Sequence, residues 1–276
     1  QGALPYFRLA NDRTNYSDTL KGVIRSYGQT VTPWLLGGVL TLAVLWITGR
    51  YLRKKHPRLV RVHKDTRLRR IWDQVKYAGY LSVHPFNGFW DLKHEKRGSV
   101  LSATILLMLA VISNILHVRL MPFLFNDENF QEKSALFSGI TGVVALVGLF
   151  VTANWALTTL MDGKGSFRDI YIYTCYSFFP MIVLYPPIVA VSYFLYEGSA
   201  AFLSMLSAVA MIWIVMLIFS GTCVTHQYSG GKTIVTLLLT VVGMLVILFL
   251  CLLTLTLMQQ MVTFVQMLIK EIRLSL

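Results

Sequence analysis

The sequence predicts an all-α, polytopic membrane protein, a helical bundle with six membrane spans. Of its 276 residues, 55% are hydrophobic and only 14% are charged, and the mean hydropathy is +0.59. A soluble domain carries about a quarter charged residues. The charges are also clustered, and each of the intervening uncharged stretches can supply the roughly 20 apolar residues that cross a hydrocarbon core of about 30 Å. These stretches lie at 26–49, 98–118, 134–161, 170–196, 198–231 and 233–269.

The first span is expected at 32–48, with Trp34 and Trp46 near the two membrane interfaces. The segment after it, 49–98, carries more than half of the chain's 25 Lys and Arg residues. Because basic residues beside spans mark the cytoplasmic side, 49–98 is expected to be cytoplasmic. Alternation of six spans then places both termini outside the cytoplasmic membrane. Residues 1–31 are expected to form an extracytoplasmic segment, or the end of a larger outside domain.

The net charge of +12 indicates an anionic partner, and the placement of the charge decides which one. Basic side chains beside a span are attracted to anionic headgroups by about 1 kcal/mol each. The pattern therefore predicts a lipid bilayer with anionic headgroups as the partner, and no nucleic acid. The residues expected to contact lipid headgroups are Arg50, Arg53, Lys54, Lys55, Arg67, Arg69 and Arg70.

Two amphipathic segments flank the predicted five-span membrane domain, 99–257. Within 49–98, the stretch TRLRRIWDQVKYAGYL repeats apolar residues at helical spacing, with charges on the other face. This pattern predicts either an interfacial helix on the membrane surface or a packed cytoplasmic helical hairpin with the following FNGFWDLKHEKRG. The sixth span is expected at about 234–257. Polar residues recur at helical spacing beyond it, so 258–276 is expected to be an amphipathic extracytoplasmic tail, lying on the surface or bound to a partner.

A charged turn separates the third and fourth spans in the stretch MDGKGSFRDIYIYTCYSFFP. Its Gly-Lys-Gly is not a phosphate loop, because a Walker motif requires an earlier glycine at fixed spacing and a preceding strand. The later SGGKT fails as well, since His226 occupies the required glycine position. Helix ends explain the turn better. Gly163 is expected to end one helix in a left-handed cap, and Ser166 with Asp169 matches a capping box for the next.

Proline interrupts the fourth span at Pro180 and again at Pro186 and Pro187. Each proline removes the donor for the carbonyl four residues earlier, and inside a membrane that carbonyl needs another partner. The fourth span is therefore expected to be kinked or broken. Two interpretations are open at this point: a kink that only shapes the bundle, and a broken helix that lines a binding cavity.

No constellation of residues in the sequence indicates catalysis. All 13 acidic residues fall outside the central parts of the predicted spans, and His117 and His226 are expected near opposite membrane faces. The three cysteines lie in apolar runs without metal-ligand spacing. We therefore expect a protein that is not an enzyme, with no catalytic, cofactor or metal site. The deep polar side chains Asn114 and Asn154 are expected to bond neighbouring helices or to line a cavity.

Two further patterns are the Gly-x-Gly-Ser-Phe of the charged turn, followed by Tyr-Ser-x-x-Pro, and the stretch HPFNGFWDLKHEKRG before the second span. Over roughly residues 80–260, the chain resembles the Yip family of Ypt/Rab-interacting membrane proteins, in its bacterial branch. The resemblance implies a Yip-like five-helix domain in a bacterial cytoplasmic membrane. Eukaryotic relatives carry an Asp-Leu-Tyr/Trp-Gly-Pro type motif that is reduced here to Asp91-Leu92, so a GTPase-binding role is not carried over. The motif residues are Gly163, Gly165, Ser166, Phe167, Tyr176, Ser177 and Pro180.

These observations lead to three hypotheses about function. The first is a non-catalytic multi-pass scaffold or accessory subunit that engages other integral membrane proteins, by analogy the subunits of an ABC importer. The second is a small uncoupled transporter or channel with its cavity at the broken fourth span. The third is a membrane-shaping protein that acts through surface helices and wedge-like hairpins.

Overall fold

The described part of the chain is helical. The computed structural model describes residues 4–10, 12, 14–23, 67–125, 134–193, 195 and 200–275, and these ranges contain no strand. The predicted first span, 32–48, and the first part of the basic segment, 49–66, lie outside the described residues. The helices are α1 (Leu4–Leu9), α2 (14–23), α3 (Arg67–Val83), α4 (Pro85–His94), α5 (Val100–Leu120), α6 (Ser134–Leu160), α7 (Phe167–Ser177), α8 (Phe179–Ser192), α9 (Ala200–His226) and α10 (Gly230–Ser275), with a 3₁₀ turn at Phe123–Phe125.

Five helical stretches in the described residues are long and apolar enough to cross a membrane. They correspond to the second to sixth predicted spans, which confirms an all-helical, multi-pass protein. The additional N-terminal span, and with it the count of six, stays a prediction. The five stretches are Val100–Leu120, Gly142–Leu160, Phe167–Ser192, Ala200–His226 and Gly230–Met267.

The spans pack into a bundle with α7 between α5, α6 and α9. The turn from α6 to α7 contacts the turn from α9 to α10, for example through a hydrogen bond from Lys164 Nζ to Gln227 Oε1 (2.9 Å). We call the end of the bundle that holds both turns the junction end. α5 and α8 lead away from this end side by side, where the Ser113 hydroxyl donates to the Met181 carbonyl (3.0 Å).

α3 and α4 form a helical hairpin with its turn at His84. Ala78, Leu81 and Phe89 are buried in the bundle core, and the Tyr77 hydroxyl donates to the Asp91 carboxylate across the hairpin (2.8 Å). The inward face of α3 packs against α5, α7 and α8, which are contacts expected of a packed hairpin. Whether this hairpin lies in the cytoplasm or at the membrane stays a prediction.

α10 is one uninterrupted helix of 46 residues, about 69 Å long at about 1.5 Å per residue. The helix predicted to follow the sixth span, at 258–276, is thus a direct continuation of α10. This continuation does not turn to lie along the membrane surface, and the other predicted arrangement, binding to a partner, stays a prediction. A sharp bend needs Pro, Gly or a similar interruption, and neither residue occurs after Gly243. Every described side chain from 248 to 267 is exposed. The second half of α10 thus extends away from the rest of the bundle.

Candidate functional site

The turn between α6 and α7 carries the first half of the sequence motif. The Gly163 amide donates to the Thr158 carbonyl (2.8 Å), the bond of a Schellman cap at the end of α6. The left-handed residue of this cap is Asp162 (φ 56°), and no described glycine has a positive φ. The expectation that Gly163 adopts the left-handed conformation is therefore wrong. Glycine is needed at this position because neighbouring side chains leave no room for a Cβ atom, and not because the backbone requires a left-handed conformation.

α7 begins with the predicted capping box, which is confirmed. The Ser166 hydroxyl accepts from the Asp169 amide (3.2 Å), and the Asp169 carboxylate accepts from the Ser166 amide (3.1 Å). The carboxylate also lies at the positive end of the helix dipole, which stabilises its charge. Phe167 follows the cap and packs edge-on against Trp155 of α6, with ring centroids 5.9 Å apart. These contacts hold the turn in one shape.

Two glycines of this turn leave space for the ring of His226, the last residue of α9. A Cβ atom at Gly163 would lie 2.6 Å from His226 Nδ1 and 2.7 Å from the Tyr228 hydroxyl, and one at Gly165 would lie 2.7 Å from His226 Cε1. The Gly165 amide donates to His226 Nδ1 (3.3 Å), which leaves the proton of a neutral imidazole on Nε2. Nε2 is buried and has no hydrogen-bond partner within the described residues.

The turn between α9 and α10 closes over the end of α6. The Met161 carbonyl accepts from the Tyr228 hydroxyl (3.1 Å) and from Lys232 Nζ (3.0 Å). Lys232 Nζ also lies 4.3 Å from the centroid of the Tyr228 ring. The last carbonyls of a helix lack intrahelical donors, so these side chains satisfy a group that would otherwise be unpaired. Burial raises the pKa of Tyr228, which favours the protonated, donating form of its hydroxyl.

Lys93 of α4 adds a third element to this end of the bundle. Its ammonium group donates to the Thr225 carbonyl at the end of α9 and to the Lys164 carbonyl (3.4 Å). Burial lowers the pKa of Lys93, and the nearby Asp169 carboxylate acts in the opposite direction. Lys93 and Asp169 also line a cavity of about 20 Å³, which has room for one water molecule.

The junction, by which we mean residues 161–169, residues 225–232 and Lys93, thus joins the ends of α4, α6, α7, α9 and α10. Its glycines and Ser166 belong to the pattern from which the sequence predicts a family. Among models of protein families, the Yip1 domain matches residues 78–254, well over half of the chain. The chain belongs to the Yip family. Comparison with curated proteins and with solved structures finds no significant match.

The Yip1 domain contains a helix that is interrupted just before Pro180, whereas Pro186 and Pro187, where an interruption was also expected, lie inside α8. α7 ends at Ser177 and α8 begins at Phe179, with Pro180 in its first turn. The Ser177 hydroxyl donates back to the Tyr173 carbonyl one turn earlier (2.8 Å). Because proline favours the first turn of a helix, its position here is that of a new helix start and not that of a strained helix interior.

The surroundings of this break are packed and not open. The Tyr176 hydroxyl donates to the Gln74 carbonyl of α3 (3.1 Å) and lies 2.9 Å from the Ser102 hydroxyl of α5. Tyr176 and Ser177 are both 0% exposed. Tyr176 therefore ties α3 and α5 to α7, and this packing does not favour a cavity for a transported solute at the break.

A chain of polar side chains lies deeper in the Yip1 domain, between four helices. The Tyr173 hydroxyl of α7 donates to Asn154 Oδ1 of α6 (3.2 Å) and lies 3.1 Å from the Thr222 hydroxyl of α9. Asn154 Nδ2 donates to the Thr240 hydroxyl of α10 (3.1 Å). All four side chains are buried. Asn154 thus makes contacts between helices, one of the two roles expected of it.

The structure separates the two halves of the family motif. Gly163, Gly165, Ser166 and Phe167 lie at the junction, whereas Tyr176 begins the other half about 14 Å further along α7 at about 1.5 Å per residue. The two halves of the motif therefore pack at opposite ends of α7 and do not form a single site. The other predicted residues are dispersed: Asn114 is half-buried on α5, Arg69 and Arg70 are exposed on α3, and Arg50, Arg53, Lys54, Lys55 and the Arg67 side chain lie outside the described residues.

Sequence reasoning assigned no site role to Lys93, His226, Tyr228, Tyr173 or Thr240. Their partners are far away in sequence, as with Lys93 and Thr225, so no local spacing indicates the contact. One signal was available: Lys93 stands alone on an otherwise apolar helix face beside Phe89 and Leu92. Within the described ranges, no group of three His, Cys, Asp or Glu side chains is placed to hold a metal ion.

Lys93→Met is expected to lower the free energy of unfolding by about 1.5–3 kcal/mol, the usual contribution of a hydrogen bond to a charged group. Methionine keeps the apolar stem of the side chain but leaves the Thr225 carbonyl without its charged donor. Thermal unfolding in mild detergent measures the change. Lys96→Met removes the charge of an exposed lysine and serves as the control. Equal stability of the two variants would show that Lys93 does not hold the junction.

Proposed function

We propose that this Yip-family protein is a non-catalytic accessory subunit, and that the outer half of α10 binds other integral membrane proteins. The apolar part of α10, Gly230–Met267, has 38 residues and is about 57 Å long at about 1.5 Å per residue. A hydrocarbon core is about 30 Å thick. The helix would have to tilt by about 58° to fit inside it, whereas membrane helices tilt by about 0–40°. Apolar helix therefore remains outside the bilayer.

The charged junction end indicates which part of the apolar helix lies outside the bilayer. Counted from Lys232, about 20 residues of α10 cross the hydrocarbon core, so the helix leaves it near residue 252. Leu257, Met261 and Phe264 lie beyond this point, on one face of the helix, and all three are exposed. Large apolar side chains in water form the kind of patch that marks protein-binding sites. A partner helix or apolar groove that covers this face removes the cost of exposing it.

The partner and orientation belong to the same proposal. Lys93, Lys164, Arg168 and Lys232 gather basic charge at the junction end, which supports a cytoplasmic position for that end. The outer half of α10 then projects from the opposite face of a bacterial cytoplasmic membrane, with both termini extracytoplasmic. Multi-subunit transporters such as ABC importers offer membrane subunits that reach this face, so we propose a transport complex as the partner.

Affinity purification of the full-length protein from its native membrane in mild detergent tests the proposal. We expect one or more integral membrane proteins to co-elute at stoichiometric levels. A variant with Leu257→Ser, Met261→Ser and Phe264→Ser is expected to lose at least 90% of this partner, which corresponds to a loss of about 1.4 kcal/mol or more in binding free energy. These side chains make no core contacts, so the thermal unfolding temperature should stay unchanged.

The matched control lies on the other face of the same helix segment. Gln259→Ala, Thr263→Ala and Gln266→Ala change three exposed side chains with the same spacing. This control variant should retain the partner. Retention of the partner by both variants would reject α10 as the docking segment. Purification of the unmodified protein alone, or only as a homo-oligomer, would reject the accessory role itself.

A further inference from the structure

We infer that the α3–α4 hairpin is a re-entrant membrane element. It enters the bilayer from the junction end, reaches about the middle of the membrane and returns to the same side. Its exposed face then contacts the acyl chains of a single leaflet. The five spanning stretches do not provide this contact, since each crosses both leaflets.

Contacts with the spans set the depth of the turn of the hairpin. Trp213 Nε1 donates to the Ser82 carbonyl, two residues before His84 at the turn (3.1 Å). Trp213 lies half-way along α9, about 20 Å from its junction end at about 1.5 Å per residue. In the same region, a Cβ atom at Gly79 would lie 3.6 Å from the ring of Phe179, at the break after α7. The turn is therefore level with the middle of the spans.

The two ends of the hairpin lie near the junction end. In the middle of α3, Gln74 Oε1 accepts from the Ser99 hydroxyl, the cap of α5 (2.8 Å), so the first half of α3 lies at or beyond the level of this cap. At the end of α4, Lys93 bonds the Thr225 carbonyl, one residue from the end of α9. Between the turn and Lys93, the Phe89 ring of α4 packs edge-on against Tyr173 of α7, with ring centroids 6.2 Å apart. α3 thus descends beside the spans, and α4 returns to the side from which α3 came.

The charges of the hairpin follow this geometry. No Asp, Glu, Lys or Arg occurs from Tyr77 to Trp90, the part nearest the turn. Lys76 is the charge just before this part, and its Nζ lies 5.3 Å from the Trp72 ring centroid, one turn back towards the open end of the hairpin. Long cationic side chains adopt this direction when they snorkel to a headgroup region. A hairpin that lay wholly in water would be expected to carry charged residues along its whole length.

The exposed face near the turn is largely apolar, and His84 and Asn87 are its exposed polar side chains. Tyr80, Val83, Phe86 and Trp90 present large side chains that the bundle does not cover, although buried residues of both helices pack inward. Acyl chains suit this face, because contact with them removes the apolar surface from water. Trp72 and Arg69 lie nearer the open end, at the level where aromatic and basic side chains meet headgroups. The hairpin therefore adds cross-sectional area to one leaflet alone.

Spin labels on the full-length protein in phosphatidylcholine–phosphatidylglycerol liposomes test the depth. Cys175, Cys223 and Cys251 are replaced by alanine, and single cysteines are introduced as Val83→Cys or Ile212→Cys. These two positions have equal exposure, 67%, and Ile212 adjoins Trp213 in α9. We expect the two labels to show equal depths, with collision rates that favour oxygen over a water-soluble nickel complex. A label introduced as Arg70→Cys should favour the nickel complex several times more strongly.

A nickel accessibility at Val83 equal to that at Arg70 would overturn the inference and place the hairpin in water. A second measurement needs no substitution, in case the cysteine-free protein does not fold. Lipids that carry a diazirine in the middle of the acyl chain should label the peptide containing Val83 and Phe86 in the unmodified protein on illumination. Labelling confined to the five spans would likewise reject the re-entrant hairpin.

Discussion

Gly163→Val is expected to lower the free energy of unfolding of the Yip1 domain by about 3 kcal/mol, the upper part of the usual range for overpacking. Valine would bring its Cβ within 3.0 Å of atoms from His226, Tyr228 and Thr158. None of these can move away cheaply, because Tyr228 bonds the Met161 carbonyl and His226 is packed under Gly165. Unfolding of the purified protein by sodium dodecyl sulfate in mild detergent, followed by circular dichroism, measures the change.

Gly148→Ala is the matched control for this prediction. Gly148 lies within α6, and a Cβ atom there would meet nothing within 4 Å. Because glycine in a helix interior is less favourable than alanine by up to about 1 kcal/mol, this change should stabilise the protein slightly. If Gly163→Val were tolerated as well as Gly148→Ala, the junction would not be the tightly packed contact that the structure shows.

The sequence predicts the positions of the five described spans, although not all of their ends, and the reason is physical. The thickness of the hydrocarbon core sets the length of an uncharged stretch, so 98–118 anticipates Val100–Leu120. The arrangement of α3 was not decided, because the same apolar stripe suits a membrane surface and a bundle groove. The end of α10 was missed for a related reason. Polar residues such as Gln259 mark the edge of a span but do not end a helix.

The candidate site was predicted only where its signals are local. Ser166 and Asp169 form a capping box through residues three apart, and the pattern is visible in the sequence. Gly163 was assigned to the right turn for the wrong reason, since its need for space depends on His226, which is remote in sequence. Lys93 bonding the Thr225 carbonyl is equally remote. Sequence patterns report backbone preferences, whereas these contacts arise from the packing of distant helices.

Tyr173→Ala is expected to destabilise the Yip1 domain by about 3–5 kcal/mol, as removal of a buried aromatic ring does. The Tyr173 ring is 1% exposed and packs edge-on against Phe89, and its Cδ2 would lie 2.7 Å from a Cβ atom at Gly221. Tyr173→Phe keeps this packing and removes only the hydroxyl. Its expected cost is about 0.6–2 kcal/mol, the range of a hydrogen bond between membrane helices. Detergent unfolding of both variants separates the ring from the hydroxyl.

A double-mutant cycle then isolates the bond between Tyr173 and Asn154. Combining Tyr173→Phe with Asn154→Ala should give a coupling free energy of about 0.6–1.7 kcal/mol, because both changes remove the same hydrogen bond. Ser204→Ala on α9 is the control partner, since its exposed hydroxyl bonds only carbonyls of its own helix among the described contacts. That pair should be additive. Additivity in both cycles would mean that the buried polar chain is held by ring packing and contributes no specific bond between α6 and α7.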